Sequence, residues 1–340
     1  MSSSQIRRRP TIHDVARAAG VSITTVSHTL NDKGVVATAT RQRVRDAATE
    51  LGYSPDAIAR GLRSNRLGVL GLVIRPLDDL DSYQPEGVDY FMRFAGAAAV
   101  EALDRGYGLM LVRDPSTPDA PQIALALDGF IIADPVASDP VIALLNRLGT
   151  PLVAVGRDIE RPEFRDWVAD SHDIGSVLSH VQEQGAETVA LVRGTDANAW
   201  NADNESEYRQ WARESNQTAI VYSKDERSGE AGGREVAESM LNFGGPLPDA
   251  VYCLTGRHAA GLQRRLQKAG FSVPDQVMVV AGSDSEQTRN STPPITSVDL
   301  QPEASAKAAV GFLLARLEGN ENGPAPIVEN KLIVRGSTTR

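Results

Sequence analysis

The amino-terminal stretch of the chain spaces its apolar residues as short helices do. The first set recurs every three or four positions, at Ile12, Val15, Ala16 and Ala19. This spacing predicts one amphipathic helix. Thr11 precedes the helix as an N-cap, and Asp14 three positions later completes a capping box. Gly20 then ends the helix, because glycine adopts the left-handed conformation without a Cβ clash.

A second short helix follows directly on this glycine. Ser22 caps it, while Val26 and Leu30 face inward. Four residues are left on the outer face: Ile23, Thr24, Ser27 and His28. Two short capped helices joined by a glycine turn form a helix-turn-helix, whose second helix enters the major groove of DNA. The alternative is an ordinary helical hairpin within a larger core.

A third helix over residues 38–51 completes a small all-α head. Arg41, Arg43 and Arg45 point outward from it, Gly52 ends it, and the head is complete at Tyr53. Its predicted inner face consists of Val44, Ala47, Ala48 and Leu51.

The distribution of charge separates this head from the rest of the chain. Residues 1–66 contain 11 Lys and Arg against 5 Asp and Glu, a net charge of +6. The remaining residues contain 24 against 39, a net charge of -15, so the whole chain carries -9. A basic head on an acidic body is typical of a tethered nucleic-acid-binding module. The acidic body disfavours unspecific adhesion to DNA, which leaves contact to the head.

From residue 67 onward, continuous apolar runs alternate with helical patterns. The runs have the length of strands buried on both faces and occupy residues 68–74, 108–112, 129–132, 151–155, 188–192, 250–254 and 277–281. Helical spacing occurs between them, at residues 91–105, 141–148, 174–184, 234–241 and 259–269. This alternation predicts parallel sheets joined by right-handed crossovers. The number of strands predicts two sheets, with a boundary near residues 163–168.

Other features restrict the class of protein. The single cysteine, Cys253, excludes an intrachain disulfide and fits a reducing cytoplasm. No apolar run reaches the roughly 18 residues of a membrane span. Residues 1–10 are expected to form a short disordered basic arm, and they lack the apolar stretch of a signal peptide. The five histidines lack metal-ligand spacing, and no phosphate loop or nucleophile elbow is found, so we expect no enzyme activity, metal or other cofactor.

Several longer motifs match a known family. They are Thr11-Ile12-x-Asp14-Val15-Ala16, Ala19-Gly20-Val21-Ser22-x-x-Thr25-Val26-Ser27-x-x-Leu30-Asn31, Thr40-Arg41-x-Arg43-Val44, Leu51-Gly52-Tyr53-x-Pro55 and Ala59-x-x-Leu62. With these motifs the sequence resembles the lactose-repressor (LacI) family of transcriptional regulators, over essentially the entire chain. The resemblance implies a helix-turn-helix head at residues 11–54 and a hinge helix with linker at 55–66. It implies a body similar to periplasmic sugar-binding proteins at 67–340.

The resemblance divides the body into two subdomains, each built on a doubly wound parallel α/β sheet. The first subdomain is expected at about residues 67–165 and 296–327, and the second at about 166–295 and 328–340. Residues 293–302 match the family's late crossover, and residues 332–338 match its final strand. No leucine-heptad tail follows, which favours a dimer over a tetramer held by a coiled coil.

The family pattern also assigns residues of the head to DNA. Ile23, Thr24 and His28 occupy the three positions that read bases in the major groove. His28 departs from the pattern, since that position usually holds an arginine able to donate two bonds to guanine, whereas an imidazole donates one. We therefore expect His28 to discriminate less strongly between guanine and the other bases at that position. The phosphate-contacting positions are Ser22, Thr25, Ser27, Asn31, Thr40 and Tyr53.

The resemblance gives residues 55–64 the role of a hinge helix that folds only on operator DNA. Leu62 matches the family's apolar wedge, which enters between central base pairs from the minor groove and kinks the duplex. Ala59 matches the neighbouring minor-groove residue, where a small side chain allows close approach. The alternative is a plain linker that contains a leucine.

A small effector is expected between the two subdomains, at the carboxyl ends of the strands. Tyr90 and Phe91 match aromatic residues that stack on sugar or base rings, and the alternative is that they are core residues of their helix. Asp284 matches the acidic acceptor of effector hydroxyls. Glu207 stands where many relatives carry an arginine, and Thr255 where they carry an asparagine. An acidic group in place of a basic one favours a neutral or cationic effector, and the alternative is that the cleft is not used as in relatives.

These expectations combine into one function. We expect a homodimeric, sequence-specific repressor in the cytoplasm, associated with the nucleoid when bound to its double-stranded operator DNA. Its operator affinity changes when a sugar, nucleoside or related metabolite binds in the cleft. The alternative is a regulator whose body senses a protein partner. The sequence leaves open which effector is bound and whether it induces or corepresses.

Overall fold

A computed structural model describes residues 10–30, 34–53, 66–75, 89–170, 174–320 and 325–339. The chain separates into two compact units, residues 1–67 and residues 68–340. The basic arm up to residue 9, Asn31, and the hinge with Ala59 and Leu62 lie outside the described residues. The roles expected for them stay predictions.

The first unit consists of three helices around one small apolar core. Val15, Val26 and Val44 come from the three helices in turn, and each is completely buried in this core. The prediction of a three-helix head is therefore confirmed. The helices are α1 (Ile12–Ala19), α2 (Ile23–Leu30) and α3 (Thr38–Leu51).

The predicted caps account for the ends of these helices. The Thr11 N–H and hydroxyl donate to the Asp14 carboxylate at 2.9 and 2.7 Å. Gly20 and Gly52 both adopt the left-handed conformation just after α1 and α3. The predicted inner face of α3 is wrong at Leu51, which is 37% exposed because the helix ends there, beyond its packing partners.

The described residues of the body form two sheets, as predicted, and each of them has six strands. The first sheet has the order β11-β5-β4-β3-β1-β2, and all of its paired strands run parallel. Its strands are β1 (Val69–Ile74), β2 (Gly108–Leu111), β3 (Gly129–Ala133), β4 (Leu152–Val155), β5 (Trp167–Asp170) and β11 (Ile327–Val328).

The second sheet has the order β12-β10-β9-β8-β6-β7. It is parallel except for β12, which runs antiparallel to β10 at one edge. Its strands are β6 (Val189–Arg193), β7 (Ile220–Ser223), β8 (Ala250–Cys253), β9 (Met278–Ala281), β10 (Thr296–Asp299) and β12 (Lys331–Ile333).

Helices cover both faces of each sheet, so the central strands are buried on both sides. Around the first sheet lie α4 (Asp89–Asp104), α5 (Pro140–Leu148) and α11 (Pro302–Leu317). Around the second lie α6 (Ile174–Glu183), α7 (Ala199–Glu214), α8 (Gly229–Asn242), α9 (Gly256–Lys268) and α10 (Glu286–Asn290). None of the helices among the described residues is long and apolar enough to cross a bilayer.

The chain passes between the two sheets a few residues later than the sequence indicates. The strand β5 pairs with β4 in the first sheet, so the first passage follows Asp170 rather than residue 165. The strand β10 pairs with β9 in the second sheet, so the return follows Asp299 rather than residue 295. Both strands are short and partly polar, and they therefore lack the continuous apolar run that marks the inner strands. The final strand also ends at Ile333, well before residue 338.

Candidate DNA interface and effector cleft

The predicted recognition helix α2 begins at a serine cap. The Ser22 Oγ accepts a hydrogen bond from the Thr25 N–H at 3.1 Å and lies 2.9 Å from the Thr25 hydroxyl. This cap leaves Ile23 and Thr24 exposed in the first turn, where a helix in the major groove meets base edges. His28 is exposed one turn further, four positions after Thr24. The three predicted base-reading residues therefore share the solvent-facing side of α2.

The predicted phosphate-contacting residues lie around this face. Ser22 is exposed, and Thr25 and Ser27 are half-buried along α2. Thr40 lies in the first turn of α3, which no side chain caps at its amino terminus. Tyr53 follows α3 and packs its ring against the core of the head. Short hydroxyl side chains of this kind are typical donors to phosphate oxygens.

In the body, the two sheets meet at the carboxyl ends of their strands. The Asn198 amide after β6 donates to the Asp134 carboxylate after β3 at 2.9 Å, and the Ala137 N–H donates to the Ala197 carbonyl at 2.7 Å. Arg289 also pairs across the sheets with Asp89, at the start of α4, at 2.9 Å. These contacts lie where strands of both sheets end, which is the place where open α/β sheets bind ligands, and we call this place the cleft.

A buried arginine lies at the first-sheet side of this cleft. Arg75 directly follows β1, and its side chain is 8% exposed. Its guanidinium bonds both oxygens of Asp139, at 2.5 and 2.7 Å, and one oxygen of Asp114 at 2.6 Å. Burial raises the pKa of Asp114, but hydrogen bonds from Ser116 and Arg75 outweigh it and leave this pKa below its usual value. The positive charge of Arg75 and the negative charges of Asp139 and Asp114 are thus paired with one another inside the protein.

A second network occupies the second-sheet side. The Asp284 carboxylate follows β9 and accepts hydrogen bonds from Arg335, Arg289, Ser297 and Thr288 at 2.7 to 3.0 Å. Burial works against its ionised form, but the bonds from Arg335, Ser297 and Arg289 more than offset this and lower the pKa of Asp284 to about 2. The predicted effector acceptor is thus already engaged by its own side-chain neighbours.

The other predicted effector residues are placed differently from one another. The Tyr90 and Phe91 rings meet edge to face at 5.1 Å at the start of α4, and Phe91 also packs against the core. The Thr255 hydroxyl accepts from the His258 N–H at 3.3 Å, so it caps α9. Glu207 lies half-buried in the third turn of α7. Arg289 therefore links Asp284 to Asp89, the residue before Tyr90, while Thr255 is occupied as a cap.

Sequence reasoning missed the Arg75 network and Asp196. The signal for Arg75 was its position directly after the apolar run of β1, because residues after such runs lie at the ligand-binding edge of the sheet. Asp196 lies in the turn between β6 and α7. Its pKa is raised by burial and by the negative charge of Glu226. Among the described residues, no group of three or more His, Cys, Asp or Glu side chains is arranged to hold a metal ion.

Comparisons with known proteins agree with both halves of this architecture. The family model of bacterial regulatory proteins of the lacI family matches residues 11–56, and that of the periplasmic binding protein-like domain matches residues 178–338. The chain carries a LacI-family DNA-binding domain together with a periplasmic-binding-protein-like domain. The relatives that match both parts are named as regulators of transcription, and the DNA-binding domain makes this chain a DNA-binding regulator of transcription.

Individual relatives match over nearly the whole chain. The HTH-type transcriptional regulator CelR of Thermobifida fusca is 28% identical, covering 97% of this chain and 99% of the relative. The HTH-type transcriptional repressor PurR of Vibrio atlanticus (strain LGP32) is 27% identical, covering 97% and 98%. The structure of the Lac repressor dimer bound to operator and the anti-inducer ONPF matches with a TM-score of 0.84 at 21% identity, covering 98% of this chain and all of that one. The last likeness shows the shared fold.

Proposed function

We propose that the protein is a homodimeric repressor whose hold on an operator is altered by a small neutral molecule bound between the two sheets of the body. Each head would read one half of a pseudo-palindrome, with half-sites about one helical turn apart. The single observation that carries the DNA-reading role is the exposed face of Ile23, Thr24 and His28 on a capped recognition helix.

Specific roles on DNA follow from side-chain chemistry. Ile23 is apolar and 40% exposed, which suits contact with a thymine methyl group. Thr24 donates or accepts one hydrogen bond at a base edge, and His28 contributes one bond where an arginine would contribute two. The hydroxyls of Ser22, Thr25, Ser27 and Thr40, together with Tyr53, would position the head on phosphates. Asn31, and Ala59 and Leu62 in the hinge, complete the proposed DNA-contacting set.

The charge networks of the cleft support a neutral effector rich in hydroxyl groups. Arg75 and Asp284 are each bonded to groups of opposite charge within the protein. A carboxylate or phosphate would have to break these ion pairs and leave their acidic members buried without compensation. The CelR structure that matches this chain with a TM-score of 0.65 at 24% identity is a complex with cellobiose, a neutral saccharide. Tyr90 and Phe91 would stack on such a ring, with Glu207 and Asp196 as acceptors.

An exposed apolar surface on the first sheet supports the homodimer. Val100 and Leu103 on α4 are 58% and 66% exposed, and Met92 lies two turns earlier on the same helix. Leu111 is exposed on β2, the edge strand next to α4 in the chain. We name these four residues the α4 apolar face. Apolar side chains clustered in this way mark protein interfaces, and a two-fold interface uses one patch twice.

A protein partner in place of the small effector is the second candidate. It is favoured by one observation, the engagement of Asp284 and Thr255 by neighbouring groups of the protein itself. A partner bound at the outer surface would alter the angle between the sheets without entering the cleft. Stabilisation of the protein by a free saccharide would contradict this candidate.

Two measurements test the proposal. Purified full-length protein is used to select bound duplexes from a random library, and the expected result is a pseudo-palindrome with a deformable central step. Absence of any preferred sequence at physiological salt would contradict the DNA-binding role.

The thermal unfolding of the protein is then followed with cellobiose, other neutral saccharides and nucleosides, and with sugar acids and sugar phosphates as controls. Stabilisation by the charged ligands alone would contradict the neutral effector.

A further inference from the structure

The imidazole of His28 lies against the backbone of Gly34, in the loop that follows α2. A Cβ built on Gly34 would lie 2.8 Å from His28 Nδ1 and 3.4 Å from Cγ and Cε1. Atoms do not pack at the shorter of these distances, so the ring occupies the space that a side chain at position 34 needs. The three distances show that the Nδ1 edge of the ring is the one turned toward Gly34.

Two other glycines of the head provide a comparison. Gly20, Gly34 and Gly52 all have left-handed backbones, with φ of 66°, 70° and 65°. Nothing lies within 4 Å of a Cβ built on Gly20 or Gly52. All three positions therefore favour glycine for conformational reasons. Among these three, Gly34 alone must also leave room for a neighbouring side chain.

Gly34 thereby influences how the recognition helix meets DNA. The two nitrogens of an imidazole are chemically distinct, and the one that faces a base determines which hydrogen bond forms. With the Nδ1 edge against Gly34, the Nε2 edge is the one turned away from the loop. We propose that Gly34 is a positioning residue for sequence recognition. Because Gly34 has no side chain, the His28 imidazole can lie against its backbone with Nε2 directed at the base. This rests on the proposed function, in which His28 contacts a base edge.

A side chain at position 34 would force the imidazole into another rotamer and withdraw Nε2 from its base. One hydrogen bond to a base edge would then be lost, while the phosphate contacts of Ser22, Thr25 and Thr40 would persist. Discrimination at a single base pair of the operator should fall by about tenfold. Affinity for unrelated DNA should stay the same, because that affinity comes from phosphate contacts.

The test uses full-length protein and the operator selected from the random library. Competition gel shifts compare that operator with its three substitutions at each base pair, and His28→Ala identifies the pair read by His28. Gly34→Ala and Gly34→Asn both add a Cβ, and asparagine tolerates the left-handed backbone, so the second variant limits strain. Gly20→Ala and Gly52→Ala are the matched controls, with the same strain and open space. We expect loss of discrimination at that pair in both position-34 variants and in neither control.

A double substitution separates positioning from general disturbance of the head. If Gly34 acts through the imidazole, adding Gly34→Ala to His28→Ala changes discrimination no further. Wild-type discrimination in both position-34 variants would overturn the proposal. So would a double variant in which Gly34→Ala lowers discrimination as much in the presence of His28→Ala as it does alone. Failure of the wild-type protein to prefer any sequence would instead remove the proposed function, and the positioning role would fall with it.

Discussion

Asp284 illustrates how single charged residues of the cleft are held by their neighbours. Its carboxylate has two arginine partners, Arg335 and Arg289, and it is 9% exposed. Because its pKa in the folded protein lies at about 2, below the usual aspartate value, folding favours the ionised form. The resulting stabilisation is complete at neutral pH and is lost as the pH falls toward 2.

Asp284→Asn should therefore destabilise the body in a pH-dependent manner. We expect the free energy of unfolding at pH 7 to fall by about 1 to 2 kcal/mol, since solvent around the 41% exposed Arg289 weakens one of the two ion pairs. The difference from wild type should shrink between pH 4 and pH 2. All three tryptophans lie beyond residue 66, so urea unfolding followed by tryptophan fluorescence reports on the body. A difference that is constant over this pH range would contradict the assignment.

Arg75 should be far more sensitive to substitution than an exposed arginine. Arg75→Ala leaves the carboxylates of Asp139 and Asp114 buried without their cation, and we expect a loss of about 3 kcal/mol at pH 7. The loss should be smaller at pH 4.5, because without the hydrogen bond and charge of Arg75 the burial of Asp114 raises the pKa of its carboxyl group. Arg209→Ala is the control, because Arg209 is 47% exposed and its pair with Glu205 on one helix contributes less than about 1 kcal/mol. Equal losses in the two variants would show that the network is unimportant.

Single elements carry the two proposed interfaces, α2 toward DNA and α4 toward a second copy. A helix in a globular protein buries one apolar stripe and normally exposes polar residues on the other side. The helix α4 breaks this rule, since it buries Phe94 and Ala98 while Val100 and Leu103 remain exposed. This exposure is the reason for proposing the α4 apolar face as the dimer interface.

Introducing charge on this face should separate the protomers. We expect Val100→Glu and Leu103→Glu to convert the dimer to a monomer in sedimentation analysis, because each would bury an unpaired carboxylate. Operator binding should weaken at least tenfold, since one head reads only one half-site. Phe243→Glu, at an 84% exposed position after α8, is the control and should leave the dimer intact. Unchanged sedimentation of both α4 variants would place the interface elsewhere.

The whole molecule combines a basic head with an acidic body, and this arrangement controls its response to salt. Binding to DNA releases the counterions of the phosphates that the head neutralises. The body, with a net charge of -15, repels the duplex and leaves contact to the head.

Operator affinity should therefore depend steeply on ionic strength. We expect it to fall by about 10³-fold or more between 50 and 200 mM salt, as for proteins with six or more phosphate contacts. His28→Ala should lower affinity at every salt concentration without changing the slope, because it removes a base contact. Titrations of labelled operator followed by fluorescence anisotropy measure both quantities. A shallow slope would mean that few phosphates are contacted.

Local chemistry along the chain was sufficient to predict the head, the alternation of strands and helices, and the division into two sheets. Capping boxes, left-handed glycines and apolar spacing act over three to seven residues, so they can be recognised in the sequence without a structure. The short strands β5 and β10 escaped this reasoning because they carry few apolar residues, and they join their sheets through pairing with distant strands. As a result, the positions at which the chain passes between the sheets were predicted a few residues too early.

The composition of the cleft was decided by the tertiary structure alone. Arg75 meets Asp139 across 64 positions and Asp284 meets Arg335 across 51, and no local pattern links either pair. Asp284 appeared in the sequence as an acceptor for a ligand, yet in the fold it completes an ion network of the protein. Parallel sheets bring the carboxyl ends of remote strands to one edge, so the partners of a charged residue there depend on strand order rather than on sequence distance.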